Sequence, residues 1–168
     1  MKRIVLMGFM GAGKTTIGRE LARSLSCDFI DTDAQIEAEQ GRKISDIFEK
    51  EGEQTFRDME TELLKHLLER TDCFVLSIGG GMPVREENRE LLRKIGMVVY
   101  LKTSKEEIIR RVSGDKSRPL LQGGSLEEKV TALMAAREDI YKETAHKEVV
   151  TDQKRIDQIM KEIIKQHH

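Results

Sequence analysis

The sequence predicts a three-layer α/β domain with a parallel sheet of five strands, and two observations support this. Five short apolar runs recur along the chain: "RIVLMG", "CDFID", "CFVLSI", "MVVYLK" and the weaker "KEVVT". Each of the first four is followed by a segment with a helical pattern. Continuously apolar strands separated by helices are typical of a parallel sheet that is covered on both faces.

The helices are predicted from the segments between these runs. The segment "KTTIGRELARSL" places three apolar residues on one helical face, Ile17, Leu21 and Leu25. A helix over "DAQIEAEQG" is closed by Gly41, and residues 44–68 are mostly helical with a break near Gly52. A later helix begins at "SLEEK", where Ser125 and Glu128 form a capping box. The last helix carries an apolar face of Ile156, Ile159, Met160, Ile163 and Ile164.

Length and charge limit the class of protein. The chain has 168 residues, which predicts a single domain over 1–168. It carries 29 basic and 30 acidic residues, so we expect neither a nucleic-acid partner nor an anionic membrane surface. No apolar run approaches the roughly 18 residues of a membrane span, and we do not interpret the apolar N-terminal stretch as a signal peptide. These features are compatible with a monomer.

The cysteine content predicts a compartment. The only two cysteines, Cys27 and Cys73, have no C-x-x-C spacing. We therefore expect them to be reduced core residues of a cytoplasmic protein, and neither a redox pair nor a metal site.

The stretch "GFMGAGKT", residues 8–15, matches the phosphate-binding pattern G-x-x-x-x-G-K-[ST] between a strand and a helix. Backbone N–H groups of such a loop cradle phosphates, the lysine reaches the β- and γ-phosphates, and the hydroxyl of Thr15 holds Mg²⁺. A glycine turn with a solvated lysine would leave Lys14 unexplained. Since no Asn-Lys-x-Asp stretch is present, ATP is favoured over GTP. The expected nucleotide contacts in the loop are Gly11, Ala12, Gly13, Lys14, Thr15 and Thr16.

The carboxylates expected near the metal lie in "DTD", at the end of the second apolar run. The run "CFVLS" ends in Ser77 without an acid, so we assign Asp31 to the Mg²⁺ shell, directly or through water. Asp33 has two interpretations. It accepts a hydrogen bond or a proton from an acceptor hydroxyl, or it merely caps a helix that starts at Ala34.

Two arginines occupy apolar helical positions. Glu60 falls on the stripe of Phe56, Leu63, Leu64 and Leu67, and an acid there needs a partner, for which Arg57 is one turn away. Arg137 falls on the stripe of the later helix. Either arginine alone is explained by a guanidinium that reaches solvent. Two of them beside a phosphate loop favour a clamp for an anionic acceptor.

Two further glycine-rich segments remain. In "SIGGGMP" three glycines, Gly79, Gly80 and Gly81, end an apolar run, which suggests a close approach to the backbone. The segment of about 112–124 has glycines at both ends and Arg118 in the middle. It is either a lid that delivers an arginine to the transferring phosphoryl group or an ordinary surface loop.

Together these motifs resemble those of shikimate kinases. The resemblance covers nearly the whole chain in order: "GFMGAGKTTIGRELA", "FIDTDAQIE", "GRKISDIFEKEGEQTFRDMETE", "SIGGGMPV", "RPLL" and "LMAAREDIY". It implies a P-loop fold similar to nucleoside monophosphate kinases, with a lid and a substrate-binding region at about 31–61. The implied reaction is transfer of the γ-phosphoryl group of ATP, with Mg²⁺, to the 3-hydroxyl of shikimate, a step toward chorismate and the aromatic amino acids.

The resemblance also implies roles for individual residues. The positions that would bind shikimate are Asp33, Arg57, Gly79, Gly80, Gly81 and Arg137, with Glu60 orienting the first arginine. Arg118 matches the lid arginine, and Arg111 matches an arginine that lies against adenine. In the segment 151–155, Lys154 or Arg155 would contact adenine, and we assign Lys154. The candidate catalytic residues are Lys14, Asp33 and Arg118.

Two other functions are compatible with part of this pattern. A kinase of gluconate or of a nucleoside monophosphate could use the same arginines, although aromatic residues for stacking make up only 4% of the chain. A nucleotide-binding regulatory module without catalysis is the second, but the full set of candidate catalytic residues argues against it.

Overall fold

The computed structural model of the protein describes residues 3–113 and 125–165, and its centre is one parallel sheet. The strands are β1 (Ile4–Met7), β2 (Asp28–Asp31), β3 (Phe74–Ser77), β4 (Met97–Lys102) and β5 (Lys147–Val150). They lie in the order β2-β3-β1-β4-β5, and every pairing is parallel. The predicted five-stranded α/β fold is therefore confirmed.

The helices lie between the strands at the predicted places. They are α1 (Lys14–Leu25), α2 (Thr32–Gln40), α3 (Ile44–Glu51), α4 (Glu53–Leu68), α5 (Glu86–Ile95), α6 (Lys105–Val112), α7 (Leu126–Thr144) and α8 (Ile156–Lys165), with a short 3-10 helix at Met82–Val84. The break between α3 and α4 falls at Gly52, and Ser125 caps α7. In the ranges that the structure describes, no helix has the length and apolar character needed to cross a membrane.

Two apolar cores cover the two faces of the sheet. Alternate residues of β1 face opposite sides, as the strand pleat requires. Ile4 and Leu6 pack with α1 and α8, whereas Val5 and Met7 pack with residues of α4, α5 and α7. This arrangement gives the three layers that the sequence predicts.

The parallel strands bring three loop starts to one edge of the sheet. Asp31 of β2 and Leu6 of β1 both pair in register with Ser77 at the end of β3. The glycine loop after β1, the "DTD" stretch and the glycine triplet after β3 therefore begin side by side. Ligands of such sheets bind at this edge.

The N-cap of α2 is Asp31 and not Asp33, so the second interpretation of Asp33 is wrong. The helix begins at Thr32, and the side chain of Asp31 is the cap, because its Oδ1 accepts a hydrogen bond from the N–H of Ala34 (3.1 Å). Asp31 has the extended backbone that an N-cap requires, since it ends a strand. Asp33 lies in the first turn and does not serve as the cap.

The prediction of reduced cysteines is wrong, because Cys27 and Cys73 form a disulfide with a Cα–Cα distance of 5.5 Å. Each cysteine immediately precedes a strand, and those strands are neighbours with Asp28 and Phe74 in register. The two Cα atoms therefore fall within the range that a disulfide spans. The sequence separation of 46 between the cysteines concealed this contact in the sequence. The cytoplasmic assignment loses the support that it took from free thiols.

The disulfide predicts a redox-dependent stability. Closing a loop of this length stabilises a fold by about 2 to 4 kcal/mol, so reduction should lower the Tm by about 5 to 15 °C. Thermal unfolding with and without a reducing agent measures this. The double variant Cys27→Ser/Cys73→Ser is the control and should give the same Tm in both conditions. An equal Tm for the oxidised and reduced wild type would contradict the disulfide.

Candidate active site

The glycine loop between β1 and α1 has the backbone of a phosphate-binding loop. Gly11 and Gly13 have left-handed φ angles of 80° and 86°, and Gly13 precedes the first residue of α1. The Lys14 ammonium donates to the carbonyl oxygens of Gly8 (2.7 Å) and Phe9 (3.1 Å). The lysine thus lies over the loop, beside the N-terminal end of a helix, where anions are favoured.

The metal-site candidates lie next to this loop. The Thr15 hydroxyl donates to Oδ2 of Asp31 (3.4 Å), while the other oxygen of Asp31 caps α2. These hydroxyl and carboxylate oxygens fit a hard divalent cation. Among residues 3–113 and 125–165 there is no cluster of three or more His, Cys, Asp or Glu side chains that could hold a metal. The pair is therefore suited to an ion that takes its other ligands from phosphates and water.

The glycine triplet lies against three charged side chains. A Cβ atom built on Gly79 would lie 2.8 Å from an oxygen of Asp33, and one on Gly81 would lie 2.3 Å from Nη2 of Arg57. A Cβ on Gly80 would lie 3.1 Å from Nη1 of Arg137. The close approach to the backbone that the triplet predicts is made by the protein's own charged groups. That these glycines also make room for a ligand stays a prediction.

Arg57 and Glu60 form a buried ion pair on α4. Nη1 of Arg57 lies 2.6 Å from Oε1 of Glu60, and the two residues are 9% and 0% exposed. Burial raises the pKa of Glu60 to about 7, against the opposing charge and hydrogen bond of Arg57. Within the part of the chain that the structure describes, Oε2 of Glu60 has no hydrogen-bond partner. The pair fixes the guanidinium at the cavity wall.

Arg137 and Asp33 complete the charged groups at the triplet. Arg137, on α7, is buried to the same degree as Arg57. Burial raises the pKa of Asp33, as does the nearby charge of Asp31, whereas Lys14 and Arg57 lower it. A carboxylate with a raised pKa is a better proton acceptor than an ordinary aspartate.

The cavity lining also includes the two residues assigned to adenine, Arg111 and Lys154. Arg111 donates from Nη1 to the carbonyl oxygen of Gly11 (2.7 Å) and from Nε to Glu107 (2.9 Å). Lys154 lies on the cavity and bonds both oxygens of Glu162 (2.8 and 3.0 Å). Arg155 instead pairs with Asp157 and is not a lining residue.

One cavity of about 1100 Å³ brings all these groups together. Its lining includes every predicted site residue that the structure describes: Gly11, Ala12, Gly13, Lys14, Thr15, Thr16, Asp31, Asp33, Arg57, Glu60, Gly79, Gly80, Gly81, Arg111, Arg137 and Lys154. Arg118 and most of the predicted lid, residues 114–124, lie outside the described residues.

Several residues at the site were not predicted. The hydroxyl of Thr32, fully buried, accepts a hydrogen bond from the N–H of Gly79 (3.1 Å) and so holds the first glycine of the triplet. Apolar side chains of Ile44, Phe48 and Phe56 line the cavity. The ring centroids of Phe48 and Phe56 lie 5.2 Å apart. These are two of the five phenylalanines of the chain, and their position at or shortly before the "FR" dipeptide is the sequence signal that could have revealed this apolar wall.

One cavity is surrounded by a P-loop, by carboxylates at the end of β2 and by two buried arginines. These features define a small-molecule kinase with the nucleoside monophosphate kinase type of fold. The family model for shikimate kinase matches residues 10–168. The chain therefore belongs to the shikimate kinase family.

Individual relatives agree with this family. A shikimate kinase of Chromohalobacter salexigens is 48% identical over 162 residues, covering 96% of this chain and 89% of the relative. One of Pelotomaculum thermopropionicum is 44% identical over 164 residues, covering 98% and 94%. The solved structure of a shikimate kinase from Acinetobacter baumannii in complex with shikimate has a TM-score of 0.92 and 43% identity, covering 98% of this chain and 92% of that one. The predicted family and the predicted ATP-dependent small-molecule kinase are confirmed, and such an enzyme uses a divalent metal with its nucleotide.

The packing of Gly81 predicts the effect of adding one methyl group. Gly81 has φ −90° and ψ −9°, which alanine adopts without strain, so Gly81→Ala should fold normally. Its Cβ would displace the guanidinium of Arg57, and the KM for the phosphoryl acceptor should rise by about 10- to 100-fold. Steady-state kinetics measure this, with the KM for ATP as the internal control. An unchanged acceptor KM would show that Arg57 does not need this clearance.

Proposed function

We propose that the protein transfers the γ-phosphoryl group of ATP, bound with Mg²⁺, to the 3-hydroxyl of shikimate. The observation that carries the proposal is the contact of Asp33, Arg57 and Arg137 with three consecutive glycines in the cavity that also contains the phosphate loop. A cationic pair suits a carboxylate, and a buried aspartate suits a hydroxyl group. Shikimate carries both kinds of group on one ring.

The phosphate loop binds and orients the nucleotide in this proposal. Backbone N–H groups of Gly11, Ala12 and Gly13 bond phosphate oxygens, and Thr16 extends this contact into the first turn of α1. Lys14 exchanges its carbonyl partners for oxygens of the β- and γ-phosphates. Its charge then stabilises the negative charge that the transferring group carries.

Thr15 and Asp31 hold the Mg²⁺ ion in the proposal. Their oxygens already lie 3.4 Å apart beside the loop, which supports this assignment. When bound, the ion neutralises charge on the β- and γ-phosphate oxygens. Ser77, in register with Asp31 on the neighbouring strand, orients the carboxylate or a water molecule next to it.

Arg57 and Arg137 bind the carboxylate of the acceptor. A guanidinium forms two parallel hydrogen bonds to a carboxylate, and the bond is strong because both groups are charged. Glu60 keeps the Arg57 fork in one orientation, so less conformational freedom is lost on binding. The amide N–H groups of Gly80 and Gly81 are further donors at this wall.

Asp33 accepts the proton of the reacting hydroxyl. The hydroxyl oxygen forms a bond to the γ-phosphorus, the bond from phosphorus to the bridging oxygen breaks, and ADP leaves with that electron pair. The hydroxyl proton passes to the Asp33 carboxylate. The raised pKa of Asp33 supports this role, and the positive charges of Lys14 and Arg57 act in the opposite direction by lowering it.

The remaining assignments extend the same proposal. Arg111 and Lys154 contact adenine, and Arg118, from a lid over about 112–124, stabilises the transferring phosphoryl group. A single domain over 1–168 with a substrate-binding region at about 31–61, a monomeric state and a cytoplasmic location stay predictions. So does the absence of nucleic-acid and membrane partners.

The acceptor is tested by ADP release from Mg-ATP with and without shikimate. Gluconate and AMP serve as control acceptors, since they represent the other kinase substrates compatible with the arginines. We expect release that depends on shikimate alone. Measurable ATP binding without ADP release from any acceptor would favour a regulatory module instead.

The role of Asp33 predicts a selective loss of turnover. Asp33→Asn keeps the shape of the side chain but cannot accept the proton, so kcat should fall by about 100-fold or more while ATP binding is retained. The matched control is Asp139→Asn, an exposed aspartate on α7 outside the cavity lining. Turnover of Asp33→Asn at the wild-type rate would refute its catalytic role.

A further inference from the structure

Tyr141 lies at the meeting point of three elements of the site. It is fully buried on α7, and its ring packs against Phe9 of the phosphate loop (4.8 Å between centroids) and Tyr100 of β4 (5.3 Å). A buried tyrosine normally finds a partner for its hydroxyl, and the identity of that partner decides what it does.

The hydroxyl of Tyr141 donates a hydrogen bond to the carbonyl oxygen of Gly80 (2.5 Å), 61 residues away in the chain. A Cβ on Gly80 would lie 3.2 Å from this hydroxyl and 3.1 Å from Nη1 of Arg137. Burial raises the pKa of Tyr141 to about 12, although Arg137 opposes this by its charge and its hydrogen bond. The hydroxyl therefore keeps its proton and remains a donor.

This bond fixes one peptide plane of the glycine triplet. The carbonyl of Gly80 and the N–H of Gly81 belong to the same planar peptide unit and point in opposite directions. Two glycines in sequence have little steric resistance to rotation of that unit. Anchoring the carbonyl to Tyr141 therefore sets the direction of the Gly81 N–H.

Two of the three N–H groups of the triplet are available for a ligand. The N–H of Gly79 is bonded to Thr32, whereas those of Gly80 and Gly81 have no hydrogen-bond partner among residues 3–113 and 125–165. Both glycines line the cavity.

We infer that Tyr141 is a positioning residue for the phosphoryl acceptor. Its hydroxyl orients the Gly80–Gly81 peptide, and it stands one helical turn after Arg137, on the same face of α7. The Gly81 N–H and the Arg137 guanidinium are thus both positioned from the same helix, α7, at the wall of one cavity. The inference rests on the proposed function for the identity of that acceptor.

Tyr141→Phe tests the inference, because it removes the hydroxyl and keeps the ring in the core. We expect the KM for shikimate and the calorimetric Kd for shikimate to rise by about 10-fold. The KM for ATP should remain within about twofold of the wild-type value, since the phosphate loop keeps its contact with the ring. Tyr100→Phe is the matched control. It removes a hydroxyl from the same aromatic cluster without removing the bond to Gly80, and it should leave the KM for shikimate unchanged.

The outcomes separate this inference from the proposed function. Equal rises in both KM values, or the same effect from Tyr100→Phe, would mean that the hydroxyl only stabilises the core, and would overturn the inference. An unchanged KM for shikimate in Tyr141→Phe, measured beside an active wild type, would also overturn the inference. A wild type that releases no ADP with shikimate would overturn the proposed function, and the acceptor role of Tyr141 with it.

Discussion

Three charged side chains meet one strip of backbone that has no side chains, and the rest of the site depends on this contact. Charges are costly to bury unless they are paired and held. Arg57 meets that condition through Glu60, with 2.6 Å between their closest charged atoms. Because Gly79, Gly80 and Gly81 carry no Cβ, charged groups from α2, α4 and α7 can approach the end of β3 together. The glycines contribute no side-chain packing here, and the charged groups beside them form a polar cavity wall.

The sheet places this wall beside the phosphate loop. The central strand β1 lies between β3 and β4, so the loop that follows it opens next to the triplet that follows β3. Asp31, at the end of β2, is on the other side of the triplet and reaches Thr15 at the start of α1. A nucleotide on the loop and an acceptor on the triplet would then share one cavity, which is the requirement for direct transfer.

The sequence predicts those parts of the structure that depend on local patterns. The strands follow from apolar runs, and the phosphate loop from its motif. The pairing of Arg57 with Glu60 follows from their spacing on one helix. The contacts that it misses join residues far apart in the chain. The disulfide, the bond from Gly79 to Thr32 and the bond from Tyr141 to Gly80 span 46, 47 and 61 residues and depend on the order of the strands.

The central claim is that the two buried arginines recognise the carboxylate of shikimate, and its methyl ester tests this most directly. The ester keeps the ring and its hydroxyls but has no negative charge. Charge-assisted hydrogen bonds contribute about 1.5 to 3 kcal/mol each, so calorimetry should find the ester bound roughly 100-fold more weakly than shikimate. Equal affinities for shikimate and the ester would contradict the clamp of Arg57 and Arg137.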